Sequence, residues 1–126
     1  AFSGGKDSTL LLRLVWEALL SLDRSHWQRP ISVICNDTLV ENPEFQSLVV
    51  SELEQIRKQT QLAGVPMTLA VTTPSLGESF WVNLIGRGYV APNRQFRWCT
   101  DRLKIQPTLL LPVSRKHFLM LLAKTR

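Results

Sequence analysis

The first ten residues, AFSGGKDSTL, constrain the fold most strongly, because they join an apolar pair to a polar glycine turn and then to an apolar helix. Gly4 and Gly5 permit backbone conformations that other residues resist, and they leave main-chain N–H groups accessible to a ligand. Asp7 and Ser8 are typical of a helix start, where unpaired N–H groups and the helix dipole favour an anion. The stretch therefore predicts a phosphate-binding loop, or alternatively a plain turn before a capped helix.

The spacing of this turn excludes two other phosphate-binding motifs. A Walker loop places a four-residue spacer before its Gly-Lys-Ser/Thr sequence, and that spacer is absent here. The G-x-G-x-x-G pattern of dinucleotide-binding folds is absent from the turn as well.

Helical and strand patterns alternate after the turn. Residues 8–22 carry leucines at three- and four-residue steps, which predicts an amphipathic helix. The short β-branched run ISVIC (31–35) is typical of a buried parallel strand. Residues 42–64 begin with Asn-Pro and end in glycine, which predicts a second helix, and residues 65–74 supply a further strand. The alternation predicts an α/β fold with a doubly wound parallel sheet.

The rest of the chain has a less regular pattern. It predicts a short helix, a loop, a helix ended by Pro107 and a further buried strand, at residues 78–86, 87–96, 99–106 and 117–126. A glycine loop of this kind needs a strand before it, but only Ala1 and Phe2 precede Ser3. We therefore expect residues 1–126 to be one nucleotide-binding domain, truncated at both ends and cut from a longer protein.

In an open parallel sheet, ligands bind beyond the carboxyl ends of the strands. This rule predicts that residues 3–8, 36–38 and 72–75 lie along one edge of the sheet and form one pocket.

Positive charge is concentrated in the C-terminal part of the chain. Residues 1–78 hold six Lys/Arg and nine Asp/Glu, whereas residues 79–126 hold nine Lys/Arg and only Asp101. Such asymmetry suits a polyanionic partner, either nucleotide phosphates or a nucleic-acid backbone, although solvated surface charges produce the same pattern.

The composition excludes several classes of protein. No apolar run approaches the roughly 20 residues of a membrane span, and the first residues do not form a charged segment followed by an apolar signal core, so we expect a cytoplasmic protein without a membrane partner. The two cysteines, Cys35 and Cys99, are too few for a disulfide framework or a complete metal site.

Two motifs together carry a family resemblance. SGGKDS (3–8) resembles the pyrophosphate loop of the ATP pyrophosphatase and phosphoadenosine-phosphosulfate reductase superfamily, and CTDRLKIQP (99–107) resembles the Cys-x-x-x-Arg/Leu-Lys-x-x-Pro segment of its reductase-like branch. Within that branch, CNDTLVENP, FWVNLIGRGYVAP and FRWCTDRLKIQP are most similar to the DndC-like sulfurtransferases of bacterial DNA phosphorothioation systems. The resemblance implies the adenine nucleotide alpha hydrolase-like (PP-loop) fold.

The resemblance implies an ATP site with Mg²⁺. Besides binding ATP, Lys6 would neutralise the charge that grows on departing pyrophosphate, and Asp7 would help to hold Mg²⁺ rather than touch phosphate. Alternatively, Asp7 is a plain helix N-cap, and residues 37–38 form a strand-ending turn. The residues expected to hold the ATP phosphates are Ser3, Gly4, Gly5, Lys6, Asp7 and Ser8, and those expected near the adenosine are Asp37 and Thr38.

Basic residues near the second motif are candidates for binding the anionic substrate, which the resemblance identifies as DNA. Arginine suits phosphate because its planar fork directs two hydrogen bonds, although a solvated helix face is the alternative. The candidates are Arg87, Arg97, Arg102 and Lys104. Trp81 and Trp98 are interleaved with these cations, as in base-stacking sites, but core packing is the preferred interpretation for Trp81.

Cys99 is the candidate catalytic cysteine. A thiol near several cations and a helix start has its thiolate favoured, as a nucleophile or persulfide carrier requires, although an ordinary buried thiol is the alternative. Cys35 is interpreted as a core residue. The resemblance further implies a cysteine desulfurase as sulfur donor, other phosphorothioation proteins as partners, and a 4Fe–4S cluster with most ligands beyond residue 126.

The predicted function is therefore ATP-dependent sulfur transfer to DNA. Three alternatives remain at this point: reduction of adenylyl sulfate or its 3′-phosphorylated form, tRNA thiolation by a related pyrophosphatase, and a nucleotide-binding remnant without catalysis.

Overall fold

The computed structural model describes residues 1–28 and 30–111, and this part of the chain is an α/β structure built on a parallel sheet. Strands β1 (Ile31–Asn36) and β2 (Met67–Thr72) pair in parallel along their whole length. On the opposite edge of β1, Phe2 forms an isolated parallel bridge with Cys35, and its N–H donates to the carbonyl of Ile34 at 2.7 Å. Phe2 thus occupies the strand position that the glycine loop requires before Ser3.

Two long helices accompany the strands. Helix α1 (Lys6–Ser21) follows the glycine turn, and helix α2 (Pro43–Ala63) connects β1 to β2. The Asn42 side chain caps α2 by accepting from the N–H of Glu44 at 2.9 Å. Gly64, at φ 64°, ends α2 in the left-handed conformation. These bounds lie within three residues of the predicted ones.

Helix α1 begins without a side-chain cap. Its N-cap is Gly5, so Asp7 lies within the first turn. The alternative interpretation of Asp7 as a plain N-cap is therefore wrong, and its carboxylate is exposed at the start of the helix.

The core lies between the sheet and the helices. Its buried members are Phe2, Val33, Cys35, Val65 and Met67, against which side chains of α1 and α2 pack. Burial of three consecutive residues of β1 explains why ISVIC lacks the polar alternation of a half-exposed strand. Cys35 is 5% exposed, which confirms its interpretation as a core residue.

A π-helical turn (Val82–Gly86) and a second helical region follow β2. That region, α3 (residues 98–109), starts as an α-turn at Trp98–Thr100, widens to a π-helical turn at Asp101–Ile105 and closes as an α-turn at Gln106–Leu109. The prediction that Pro107 ends the helix is wrong. Because proline has no N–H to donate to the preceding turn, a locally widened helix accommodates it.

The sequence-derived α/β class is confirmed in the described residues, with one parallel pair of strands and the Phe2 bridge. The predicted strand at residues 117–126 lies outside them. Within the same residues, no helix combines the length and the apolar character that a membrane crossing needs.

Candidate functional site

A cavity of about 500 Å³ lies at the carboxyl end of β1, between α2 and α3. Its volume is within the range of small-molecule sites in proteins. Apolar side chains of α2 line one side: Phe45, Val49, Val50 and Leu53. Polar groups from three separate segments line the cavity too: Ser3, Asp37, Arg97 and Lys104. The cavity therefore brings Ser3, the end of β1 and the second motif together, whereas residues 4–8 of the glycine loop are not among its described lining.

The glycine loop is fixed by close packing at its first glycine. Gly4 has φ 73°, and a Cβ on it would lie 2.5 Å from Val49 Cγ2 of helix α2. Both the conformation and the space exclude a side chain. Gly5 differs, because its φ is −79° and its Cβ would meet Ser3 Oγ at an ordinary 3.5 Å.

The Ser8 hydroxyl stabilises the glycine loop through hydrogen bonds. Its hydroxyl donates to the carbonyl of Gly5 at 2.8 Å and accepts from the N–H of Ser3 at 3.2 Å. The two hydroxyls of Ser3 and Ser8 lie 3.1 Å apart. Ser8 is 3% exposed whereas Ser3 is exposed, so Ser8 braces the loop and Ser3 faces the cavity.

The start of α1 has the character of an anion site. The first N–H groups of any helix lack partners within it, and no side chain caps this one. Lys6 and Asp7 are both exposed there. Among the described residues, no group of three His, Cys, Asp or Glu side chains forms a metal cluster. A magnesium ion at Asp7 would fit if phosphate oxygens and water supplied its other ligands.

Residues 37–41 form a hydrogen-bonded turn after β1. Asp37 Oδ1 accepts from the N–H of Leu39 at 2.9 Å, and its Oδ2 accepts from Gln46 Nε2 at 2.9 Å. Thr38 is 3% exposed and donates to Glu41 Oε1 at 3.1 Å. Leu39 has φ 62°, a conformation that leucine rarely adopts. Asp37 therefore lines the cavity, whereas Thr38 holds the turn.

Helix α3 turns one face to the cavity. Arg97, Thr100, Lys104 and Thr108 line it at three- and four-residue spacing. Cys99 is half-buried and is not among the described residues that line the cavity. The structure thus brings Arg97 and Lys104 to the site and leaves Cys99 on another face of the same helix.

The two other predicted arginines are joined by Glu78. Arg102 Nη1 lies 2.6 Å from Glu78 Oε2, and Arg87 Nη1 lies 3.1 Å from Glu78 Oε1. Hydrogen bonds from Arg87 and Arg102 hold the pKa of Glu78 below its ordinary value, and Glu78 in turn raises the pKa of Arg102. Glu78 was not singled out from the sequence, because its partners lie nine and 24 residues away.

An aromatic cluster lies beside these ion pairs. Trp98 is 7% exposed, stacks against Phe80 at 5.4 Å and donates from its indole N–H to the carbonyl of Val90 at 3.0 Å. Trp81 is 56% exposed, so its interpretation as a core residue is wrong. The ring of Tyr89 packs edge-on against Trp98.

Asn36 connects the sheet to α3. Its Nδ2 lies 2.6 Å from Thr72 Oγ1, 2.8 Å from Thr108 Oγ1 and 3.2 Å from the carbonyl oxygen of Lys104. A polar residue directly after an apolar strand marks this position in the sequence. Its partners, however, lie 36 to 72 residues away and could not be read from the pattern.

The two cysteines do not fit a 4Fe–4S cluster, which needs four ligands. Cys35 lies in the core, where burial, with Asp37 and Glu41 nearby, raises the pKa of its thiol. A cluster would therefore need its ligands from outside this chain's sequence.

The chain is similar to "Uncharacterized protein MJ0066" of Methanocaldococcus jannaschii, with 29% identity over 107 residues. The match covers 85% of this chain and 18% of that protein, so the chain spans less than a fifth of the relative's length. No protein-family model matches the chain, and no solved structure matches it.

Proposed function

We propose that the chain is the nucleotide-binding part of an ATP-dependent sulfurtransferase of the DndC type, with a PP-loop fold, acting on DNA. The observation that carries the proposal is the cavity at the end of β1, where Ser3, Asp37, Arg97 and Lys104 converge beside an apolar wall. An apolar wall suits a purine base, and an edge that carries Arg97 and Lys104 suits phosphates, with the carboxylates of Asp37 and Glu41 lining the same cavity.

The phosphate groups of ATP would bind at the start of α1. Bare main-chain N–H groups after Gly4 would donate to phosphate oxygens, and Lys6 would stabilise the charge that grows on departing pyrophosphate. Asp7 would share a magnesium ion with the phosphates. Ser3 reaches the cavity, whereas Ser8 would act by holding the loop in shape.

The reaction would proceed in three steps. A backbone phosphate oxygen of DNA attacks the α-phosphorus of ATP, which forms an adenylylated phosphate and breaks the bond to pyrophosphate. The terminal sulfur of a persulfide, which originates from a cysteine desulfurase, then attacks the activated phosphorus, and AMP leaves with the displaced oxygen. A dithiol reductant finally cleaves the resulting sulfur–sulfur bond, which releases the phosphorothioate and the carrier thiol and oxidises the reductant to a disulfide. Cys99 would carry the sulfur from elsewhere on α3, with Arg97 and Lys104 gathering the DNA phosphate.

The first step can be tested in the full-length protein with labelled ATP and duplex DNA. We expect Lys6→Ala to lower pyrophosphate release by roughly 10²-fold, the loss typical of one removed electrostatic stabiliser. Lys58→Ala is the matched control, because Lys58 is an exposed lysine on α2, away from the start of α1. Equal rates in the two variants would contradict the proposed role of Lys6.

The products separate this proposal from its alternatives. Sulfite production that depends on a dithiol reductant, without pyrophosphate release, would indicate a sulfonucleotide reductase. Pyrophosphate release stimulated by tRNA but not by DNA would indicate tRNA thiolation. The absence of all these activities in the full-length protein would indicate a nucleotide-binding remnant.

A further inference from the structure

Glu78 occupies an unusual position between two cations. It receives one guanidinium on each carboxylate oxygen, from Arg87 at 3.1 Å and from Arg102 at 2.6 Å. The Glu78 side chain is 32% exposed, so its ion pairs are partly screened by water. Two arginines and one carboxylate leave a net charge of +1, which suits a single anionic group.

Both arginines belong to irregular parts of the backbone. Arg87 directly follows the π-helical turn Val82–Gly86, and Arg102 lies within the π-helical turn of α3. Such turns depart from the regular helix and frequently occur at functional sites. A shared carboxylate between two such turns fixes their side chains relative to each other.

The other contacts of the two guanidiniums leave donors available. Arg87 Nη1 also donates to Asn83 Oδ1 at 2.8 Å, and Asn83 is fully buried. Arg102 Nη2 lies 3.5 Å from the hydroxyl of Tyr89. Because a guanidinium carries five N–H donors, each arginine retains N–H groups that these contacts do not use.

We propose that Glu78 is a positioning residue, which holds Arg87 and Arg102 so that their remaining N–H donors bind a backbone phosphate of DNA. This inference rests on the proposed function, since it concerns how the same protein holds its nucleic-acid substrate. A fixed guanidinium loses less conformational freedom on binding than a mobile one, so the pairing with Glu78 favours phosphate binding even though Glu78 is itself negative.

The direction in which one substitution changes the affinity for DNA distinguishes a positioning role from a simple effect of charge. If Glu78 only contributes negative charge, Glu78→Gln strengthens binding to a polyanion. If Glu78 positions the arginines, the same substitution weakens binding. The matched control is Glu17→Gln, which removes a carboxylate from the exposed pair with Arg13 at 2.7 Å on α1. Both variants change the net charge by the same amount.

The experiment measures the affinity of the full-length protein for a short double-stranded oligonucleotide by fluorescence anisotropy. We expect Glu78→Gln to weaken binding by about tenfold, as for the loss of a charge-assisted hydrogen bond. Glu17→Gln should leave binding unchanged or slightly stronger. In an Arg102→Lys background, Glu78→Gln should have a smaller effect, because of the two guanidiniums only that of Arg87 remains for Glu78 to hold.

A second variant distinguishes a loss of positioning from a folding defect. Glu78→Asp keeps the charge, but its side chain is one methylene shorter, so we expect it to weaken binding at an unchanged melting temperature. Binding by Glu78→Gln as tight as by Glu17→Gln would overturn the positioning role, and so would an undiminished effect in the Arg102→Lys background.

ATP binding without DNA, measured by calorimetry on the same samples, separates this inference from the proposed function. Normal ATP binding with DNA affinity insensitive to Glu78 would overturn the positioning role alone. A wild-type protein that binds ATP but not the duplex would overturn the positioning role and DNA as the substrate. A wild-type protein that binds neither would overturn both proposals.

Discussion

Gly4 and Gly5 are adjacent in the loop, but the structure constrains them differently. At Gly4 the backbone is left-handed and helix α2 approaches so closely that no Cβ fits. At Gly5 the backbone conformation suits any residue, and a Cβ would make an ordinary contact. A need for glycine at Gly5 would therefore come from a ligand and not from the fold.

This difference gives a paired prediction. Gly4→Ala should lower the free energy of unfolding by about 2 kcal/mol or more, because left-handed strain and overpacking against Val49 add together. Gly5→Ala should leave stability nearly unchanged and weaken ATP binding, since its methyl group would stand where the phosphates approach the main chain. Denaturant unfolding and calorimetric ATP titration measure the two effects.

Each alanine variant is the control for the other. Unchanged ATP affinity in Gly5→Ala would contradict main-chain phosphate binding at this loop. Unchanged stability in Gly4→Ala would show that the close approach of Val49 is easily relaxed.

At the scale of elements, Asn36 carries more of the connection between α3 and the sheet than its place in the chain suggests. Its amide reaches Thr72 on β2 and both Lys104 and Thr108 on α3. Because Lys104 and Thr108 line the cavity, the same amide sets the distance between the two sides of the site.

We predict that Asn36→Ala loosens α3 without unfolding the sheet. The loss of these hydrogen bonds should cost about 1–3 kcal/mol, because the partly buried acceptors lose their donor. Amide hydrogen exchange should become faster in residues 98–109 and stay unchanged in α2. Ser32→Ala is the control, since its exposed hydroxyl pairs with Thr68 at the other end of the strands. Equal acceleration in α2 would show a global rather than a local effect.

The elements that the sequence predicts well are those with strong local signals. Helix α2 has an Asn-Pro start and a glycine end, and β1 is a short, nearly all-apolar run rich in β-branched residues, so their bounds follow from neighbouring residues. The helical turn at Pro107 was missed because the π-helical turn before it has no local signature. The sequence places Asn36 at the edge of the pocket, but the partners of Asn36 and the role of Glu78 could not be predicted, because those contacts join residues distant in sequence and exist only once the chain is folded.

At the scale of the whole molecule, described residues from the acidic N-terminal part and from the basic C-terminal part meet at the site. The described cavity takes Asp37 from the first part and Arg97 and Lys104 from the second. Glu78, at the boundary between the two parts, neutralises part of the basic side. The net charge of +5 therefore describes the chain less well than the distribution of its charges.

The dependence of global stability on pH should reveal how much the ionised carboxylate of Glu78 stabilises the fold. Its pKa in the folded protein lies below the ordinary value of 4.5, so at pH values between the two the unfolded chain binds more protons. The stabilisation by Glu78 is then present above about pH 4.5 and is lost as the pH falls through the lower, folded-state pKa. Glu78→Gln lacks this ionisation.

We therefore expect the wild type to be more stable than Glu78→Gln near neutral pH, and the difference to shrink as the pH falls below about 4.5. Melting temperatures measured across the acid range give both curves. Glu17→Gln is the control, since its pair with Arg13 joins positions within one helix and links no separate elements. If the stability difference between wild type and Glu78→Gln stays constant with pH, the ionised carboxylate contributes nothing beyond its hydrogen bonds. The packing of Trp98 against Phe80 and Tyr89 would then hold the two π-helical turns together.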